Sequence, residues 1–116
     1  MNQRASDPEA FVRFSEEKAT VAEISSTEHS SIVVWGVRLG QEVPAHIHPA
    51  GQDAWIILRG ALSCFLGNGE RVTIRAGQVD VAEHHQVHGA INDGGEDAVF
   101  LSIYSAPNLG WEKATP

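Results

Sequence analysis

The stretch Gly40-Gln-Glu-Val-Pro-Ala-His46-Ile-His48-Pro-Ala-Gly-Gln52-Asp53-Ala-Trp-Ile-Ile-Leu-Arg-Gly60 decides how this chain is read. At its centre, two histidines are separated by a single residue. Side chains on a β-strand alternate with period two, so His46 and His48 project from one face. A second block, Gly77-Gln-Val-Asp-Val-Ala-Glu83-His84-His85-Gln-Val-His88-Gly-Ala-Ile-Asn92, adds a third histidine, His88, on a later strand. Imidazole and carboxylate oxygen together suit Fe, Ni, Cu, Mn or Zn far better than they suit a hydrophobic core. A lone histidine on a strand is ordinarily exposed or hydrogen-bonded. Three of them beside Asp53 at this spacing read as a metal centre.

Both blocks resemble the signature motifs of the cupin superfamily. The first motif, G-x5-H-x-H-x(3,4)-E-x6-G, is reproduced from Gly40 to Gly60, with Asp53 where glutamate is usual. The second, G-x5-P-x-G-x2-H-x3-N, is matched by Gly77, His88 and Asn92, while Glu83 replaces the proline and His85 the glycine. The resemblance implies a small single-domain cupin of the conserved-barrel type, all-β, with an antiparallel double-stranded β-helix or jelly-roll barrel. It also implies a divalent transition metal (Fe, Ni, Mn, Cu or Zn) held by His46, His48, His88 and one further oxygen. Counting from His48, both Gln52 and Asp53 qualify for that fourth position, whereas counting back from Gly60 selects Asp53. Asp53 is favoured, because an anionic oxygen neutralises a divalent ion better than an amide. Aspartate is one methylene shorter than glutamate, which leaves open a three-histidine site with Asp53 in the outer sphere.

Composition agrees. A chain of 116 residues has room for one domain. With 42% hydrophobic and 20% charged residues it packs as a globule rather than staying disordered. A formal net charge of −7 excludes the clustered Lys and Arg that nucleic acid or an anionic membrane would need. No apolar run approaches the ~20 residues of a membrane span, and the N-terminus has no signal-peptide pattern. The single cysteine, Cys64, has no internal disulfide partner, which fits a reducing cytoplasm.

Outside the two blocks the pattern is one of short strands and turns. Residues 1–17 form an N-terminal arm or short helix, with Ser6 as N-cap, Pro8 in the first turn and Glu9 completing a capping box. Residues 18–107 form the barrel and 108–116 a C-terminal tail. Strands are expected at 21–25, 31–39, 43–47, 53–59, 62–66, 71–74, 79–82, 86–91 and 98–105. Gly67-Asn68-Gly69 is a hairpin signal. His84, His85 and Glu83 read as exposed turn residues, His29 as surface, and Cys64 as a small core residue rather than a nucleophile. Trp35 and Trp55 read as packing, with Trp55 a wall of the pocket, and Trp111 as an anchor for the tail or a cap on the barrel mouth.

Alternation on the 53–59 strand turns Asp53, Trp55 and Ile57 inward and leaves Ala54, Ile56 and Leu58 outward. That outward face is too apolar for water, and a homodimer would cover it. On the last long strand Ser102 and Tyr104 share a face; the resemblance sets that face beside the metal, making Tyr104 the candidate proton-transfer or orienting group. Small cupins that open unsaturated uronate sugars carry an aspartate and an arginine near this strand. Ser102 and Asn108 stand there instead, so the same reaction is not expected. The expectation is a metal-dependent enzyme on a small polar metabolite, either a dioxygenase or a Lewis-acid isomerase or lyase. The alternative is a non-catalytic module that binds a sugar or carboxylate.

Overall fold

The computed structural model describes residues 4–116. Ten strands follow one short turn of 3-10 helix: β1 Thr20–Ser26, β2 Ser31–Val37, β3 Glu42–Ile47, β4 Asp53–Arg59, β5 Ala61–Gly67, β6 Glu70–Arg75, β7 Val79–Ala82, β8 His88–Ile91, β9 Ala98–Tyr104 and β10 Glu112–Lys113. They make two five-stranded antiparallel sheets, ordered β1-β2-β9-β4-β7 and β10-β3-β8-β5-β6. Neighbours in a sheet are mostly distant in sequence, the signature of a jelly roll rather than a meander.

Between the sheets lies a core that includes Val37, Val43, Ile57, Leu62, Cys64, Phe100 and Trp55. Trp55 packs against Phe100 at 4.2 Å between ring centroids and against His88 at 3.8 Å, so the core runs without a break into the polar site. At the core's far end Asn92 is fully buried, its amide donating to the carbonyls of Val37 and Glu96 while its oxygen accepts from the Gly94 amide. The motif asparagine is therefore a clamp on the β8–β9 turn, remote in role from the histidines. Gly60 turns the chain between β4 and β5 at φ 79°, where a Cβ would sit 2.7 Å from the Asp97 carbonyl.

One irregularity shapes the site. In the β3–β8 ladder Val43 faces Ala90 and His46 faces His88, so Pro44 and Ala45 both lie opposite Gly89. This is a β-bulge, a place where proline's missing N–H is tolerated. Gly89 has φ 152°, and a Cβ there would lie 2.8 Å from the Val43 carbonyl oxygen and 2.9 Å from Ala45 Cα.

The N-terminal arm departs from its expected form. The helical piece is Pro8–Ala10 only, and its cap is Asp7, whose carboxylate accepts from the Glu9 amide, rather than Ser6. Three residues cannot sustain a helix on propensity alone. The arm is instead held by packing: Val12 and Phe14 lie against Gly36 on β2, and Arg59 sits over the Phe14 ring. At the other end, 108–116 is more than a tail, because β10 pairs with β3 through Glu112–Ile47 and Lys113–His46. The strand expected from Gln86 starts at His88, since residues 83–86 close a turn in which the Gln86 side chain accepts from the Glu83 amide.

Candidate metal centre

Four side chains converge inside the barrel, each delivered by a different local device. His46 and His48 come from β3 and the residue just past it, Asp53 from the start of β4, and His88 from the start of β8. All four are buried. The Pro44 carbonyl, at the bulge, accepts from His46 Nδ1 at 2.7 Å, and the Gly110 carbonyl accepts from His48 Nδ1 at 2.7 Å. A carbonyl accepts only, so both rings carry their proton on Nδ1 and direct an Nε2 lone pair inward. His88 has the Asp80 carboxylate 3.7 Å from its Nδ1. Each ring is thus oriented from behind.

On the inner side His46 Nε2 lies 3.0 Å from His48 Nε2, while Asp53 Oδ2 lies 3.5 Å from His48 Nε2 and 3.2 Å from His88 Nε2. The donor atoms of His46, His48 and Asp53 all fall within 4.8 Å of one another. Two donors held ~2.1 Å from one ion at angles of about 90–110° are roughly 3.0–3.4 Å apart. Among the described residues, His88 Nε2 is the one buried side-chain polar atom without a hydrogen bond. A buried imidazole nitrogen without a hydrogen bond, facing a carboxylate, is a costly arrangement for an empty core and a suitable one for a cation. The donor set fits a divalent transition metal.

Electrostatics support the same geometry. Burial lowers the His46 pKa to about 4, against the raising effect of the Pro44 carbonyl. His46 therefore stays neutral at any ordinary pH and presents its lone pair without first losing a proton. Burial also lowers the His48 pKa, but the Asp53 carboxylate beside it and the Gly110 carbonyl outweigh that and leave it raised. For Asp53, burial raises the pKa, yet the His48 and His88 imidazoles beside it and the Ser102 hydroxyl hold it well below the usual carboxylate range. Asp53 is an anion waiting for a counter-charge.

Of the candidates for the fourth ligand, Asp53 joins the histidines and Gln52 does not: Gln52 is exposed, and its backbone amide donates to Ser105 Oγ. Ser102 and Tyr104 share the inward face of β9 as alternation demands. Ser102 Oγ donates to Asp53 Oδ1 at 2.5 Å and Trp55 Nε1 donates to Asp53 Oδ2 at 3.0 Å, so both oxygens are fixed. Tyr104 lies beside His48, 5.9 Å between ring centroids, and lines the cavity above the cluster. His84 and His85 are exposed turn residues, and His85 takes φ 67° at the position where the motif has glycine. The Cys64 thiol is buried, and burial pushes it up to about 12, so it is no nucleophile.

Sequence reasoning missed three supporting groups. Asp80 had a readable signal, since alternation along β7 puts it on the inward face with Ala82. Gly110 and the bulged Pro44 act through backbone carbonyls, which side-chain patterns do not report. Trp111, read as an anchor or cap, stacks on His46 with 5.6 Å between ring centroids and 21° between planes.

A family model for the Cupin domain matches residues 33–104. A solved conserved protein from Klebsiella pneumoniae with a double-stranded β-helix domain is 34% identical, covering 97% of this chain and 98% of its own, with a TM-score of 0.93. KdgF from Halomonas sp. is 22% identical over 83% of this chain and 86% of its own, with a TM-score of 0.72. An oxalate oxidase in complex with the substrate analogue glycolate is 18% identical over 98% of this chain and 65% of its own, with a TM-score of 0.77. The last two likenesses are of fold alone. No curated protein matches the chain.

Proposed function

We propose, from the premise that this chain belongs to the cupin family, that it is a metal-dependent enzyme acting on a small polar metabolite. His46, His48, His88 and Asp53 hold the metal. The observation that carries this reading is the buried, unpartnered His88 Nε2 pointing at Asp53 beside two other inward-facing imidazole nitrogens. When bound, the ion would supply Lewis-acid or redox chemistry to a substrate that chelates it.

The chain's own residues define what reaches that point. The cavity above the cluster is about 160 Å³, room for roughly five waters at ~30 Å³ each. It is walled by Trp35, Trp55, Tyr104 and Trp111, which exclude bulk water from the ligands. Burial, with the negative charge of Asp53 nearby, raises the Tyr104 pKa against the effect of Ser102. Tyr104 thus keeps its proton and serves as hydrogen-bond donor or general acid rather than as base. Tyr104 is also the sole proton-transfer group on the cavity wall outside the proposed ligands, which favours a second reading, a non-catalytic binding module. The reducing cytoplasm remains the fitting location for a chain whose one cysteine is a buried thiol. Among the described residues no helix is long and apolar enough to cross a membrane.

Mass spectrometry of freshly purified protein is expected to find near-stoichiometric Fe, Ni, Mn, Cu or Zn, and none in a His46→Ala/His48→Ala variant. Metal that is sub-stoichiometric and equal in both proteins, with no uptake on reconstitution, overturns the reading. Turnover that vanishes in the folded variant separates enzyme from binding module.

We also propose a homodimer through the outer face of the first sheet. The register aligns Ile32, Ile103 and Ala54 in one row across β2, β9 and β4, continuing to Val81 on β7. The next row has Leu101, Ile56 and Val79. Val79 and Val81 are each about half exposed in the isolated chain. Ile56→Glu would plant a charge at the centre of this patch. Sedimentation is expected to show a dimer for the natural sequence and a monomer for the variant; a monomeric natural protein at tens of micromolar removes the proposal.

A further inference from the structure

Two cavities meet at His48, Tyr104 and Trp111. The inner one, about 160 Å³, reaches the histidine cluster. The outer one, about 260 Å³, lies under residues 107–111. Among the described residues, the two are lined by one acidic side chain, Asp53, and by no lysine or arginine. Several of the chain's cations are engaged elsewhere: Arg38 faces Glu16 and Asp97, Arg59 pairs with Glu9, and Arg71 lies over the Phe65 ring. Lys113, whose backbone pairs with His46, lines neither cavity.

This wall sets a charge limit on what binds. Counting the proposed ligands alone, with Asp53 ionised and neutral imidazoles, a divalent ion leaves one unit of positive charge, which a single anionic head group balances; the Asp80 carboxylate behind His88 can only lower that surplus. A second carboxylate on the ligand would face tryptophan, tyrosine and proline. Wherever it is drawn into the inner cavity it would lose hydration without a cationic partner, a penalty for any buried charge. An uncharged tail meets the opposite situation. Trp111 is 55% exposed, with one ring face stacked on His46 and its remaining surface open to both cavities. Tyr104 stands across from it beside His48.

We infer that the substrate is a small chelator carrying at most one negative charge, at its metal-binding end, with an uncharged apolar or planar tail seated between Trp111 and Tyr104. The inference rests on the metal-centre reading above. Trp111 is then a specificity-determining residue, and dicarboxylates are poor ligands despite having an equally good chelating group.

The test uses two probes with the same 2-hydroxycarboxylate head, 2-hydroxyisovalerate and malate, which differ in an isopropyl against a carboxymethyl tail. Calorimetric titration is run on protein loaded with Ni, with the metal content of each sample measured. The expected result is 2-hydroxyisovalerate binding at least tenfold more tightly than malate. Trp111→Ala should narrow that ratio by threefold or more through weaker 2-hydroxyisovalerate binding, at unchanged metal content. Trp111→Phe should largely restore it. Equal or tighter malate binding, no binding of either probe by fully loaded protein, or an unchanged ratio in Trp111→Ala overturns the inference alone. Failure to take up metal overturns the metal-centre reading, and the inference falls with it.

Discussion

Gly89→Ala is expected to lower the melting temperature by roughly 10–20 °C. The added Cβ would lie 2.8 Å from the Val43 carbonyl oxygen and 3.0 Å from the Ala45 amide nitrogen. These are backbone atoms of the bulge, held in the ladder on either side, and no side chain can swing away to make room. The φ of 152° adds backbone strain for any residue with a Cβ. Overpacking and strain together cost about 3–5 kcal/mol. Relief would require β3 and β8 to separate, which moves His46 and His88 apart, so metal content should fall with stability. Calorimetry of the metal-free and metal-loaded proteins checks this. A variant melting within about 2 °C of the natural protein would show that the bulge is softer than its geometry implies.

The second large effect belongs to Asp53. Asp53→Asn keeps nearly the same shape, and an amide satisfies both neutral neighbours: its oxygen accepts from Trp55 Nε1 as the carboxylate does now, and its nitrogen donates to Ser102 Oγ, reversing the bond in which Ser102 is now the donor. What it removes is charge. Loss of groups that merely orient a metal ligand costs about 10–100-fold in affinity. Loss of the one anionic donor is expected to cost at least a hundredfold, read by competition with a chelator of known strength. The pH profile carries a separate signature in the metal-free protein. A carboxylate whose folded pKa is depressed contributes stability above its unfolded pKa and loses it as pH falls through the folded value. That acid limb, present in the natural sequence because His48, His88 and Ser102 outweigh burial at Asp53, should be absent from the variant. Unchanged metal affinity in Asp53→Asn would leave a three-histidine centre with Asp53 outside the coordination sphere.

The parts of this molecule that were legible in its sequence are those governed by period two and by turn chemistry. β4 and β7 fall where alternation sets them, and Gly67-Asn68-Gly69 turns β5 into β6 through three successive residues of positive φ. The inward set Asp53, Trp55 and Ile57 follows from the same rule. Counting from His48 left both Gln52 and Asp53 as candidates, and the one-residue step on the strand separates them: Asp53 is buried and Gln52 exposed. The N-terminal cap was placed one residue early, at Ser6 and not Asp7, because serine and aspartate are both strong capping residues and stand side by side. β10 escaped notice because a strand of two residues has no period to detect. The groups that orient the imidazoles from behind were mostly invisible, since the Pro44 and Gly110 carbonyls have no side-chain identity to read.

The Gly110 carbonyl that fixes His48 gives the centre a temporal order. During synthesis, every metal-facing side chain and nine of the ten strands have been made by Tyr104, before this carbonyl exists. Until residues 108–113 emerge and pair with β3, His48 is free to rotate and its lone pair has no fixed direction. In the proposed centre, His48 therefore takes its final direction from residues 108–113, a part of the chain made after every proposed ligand.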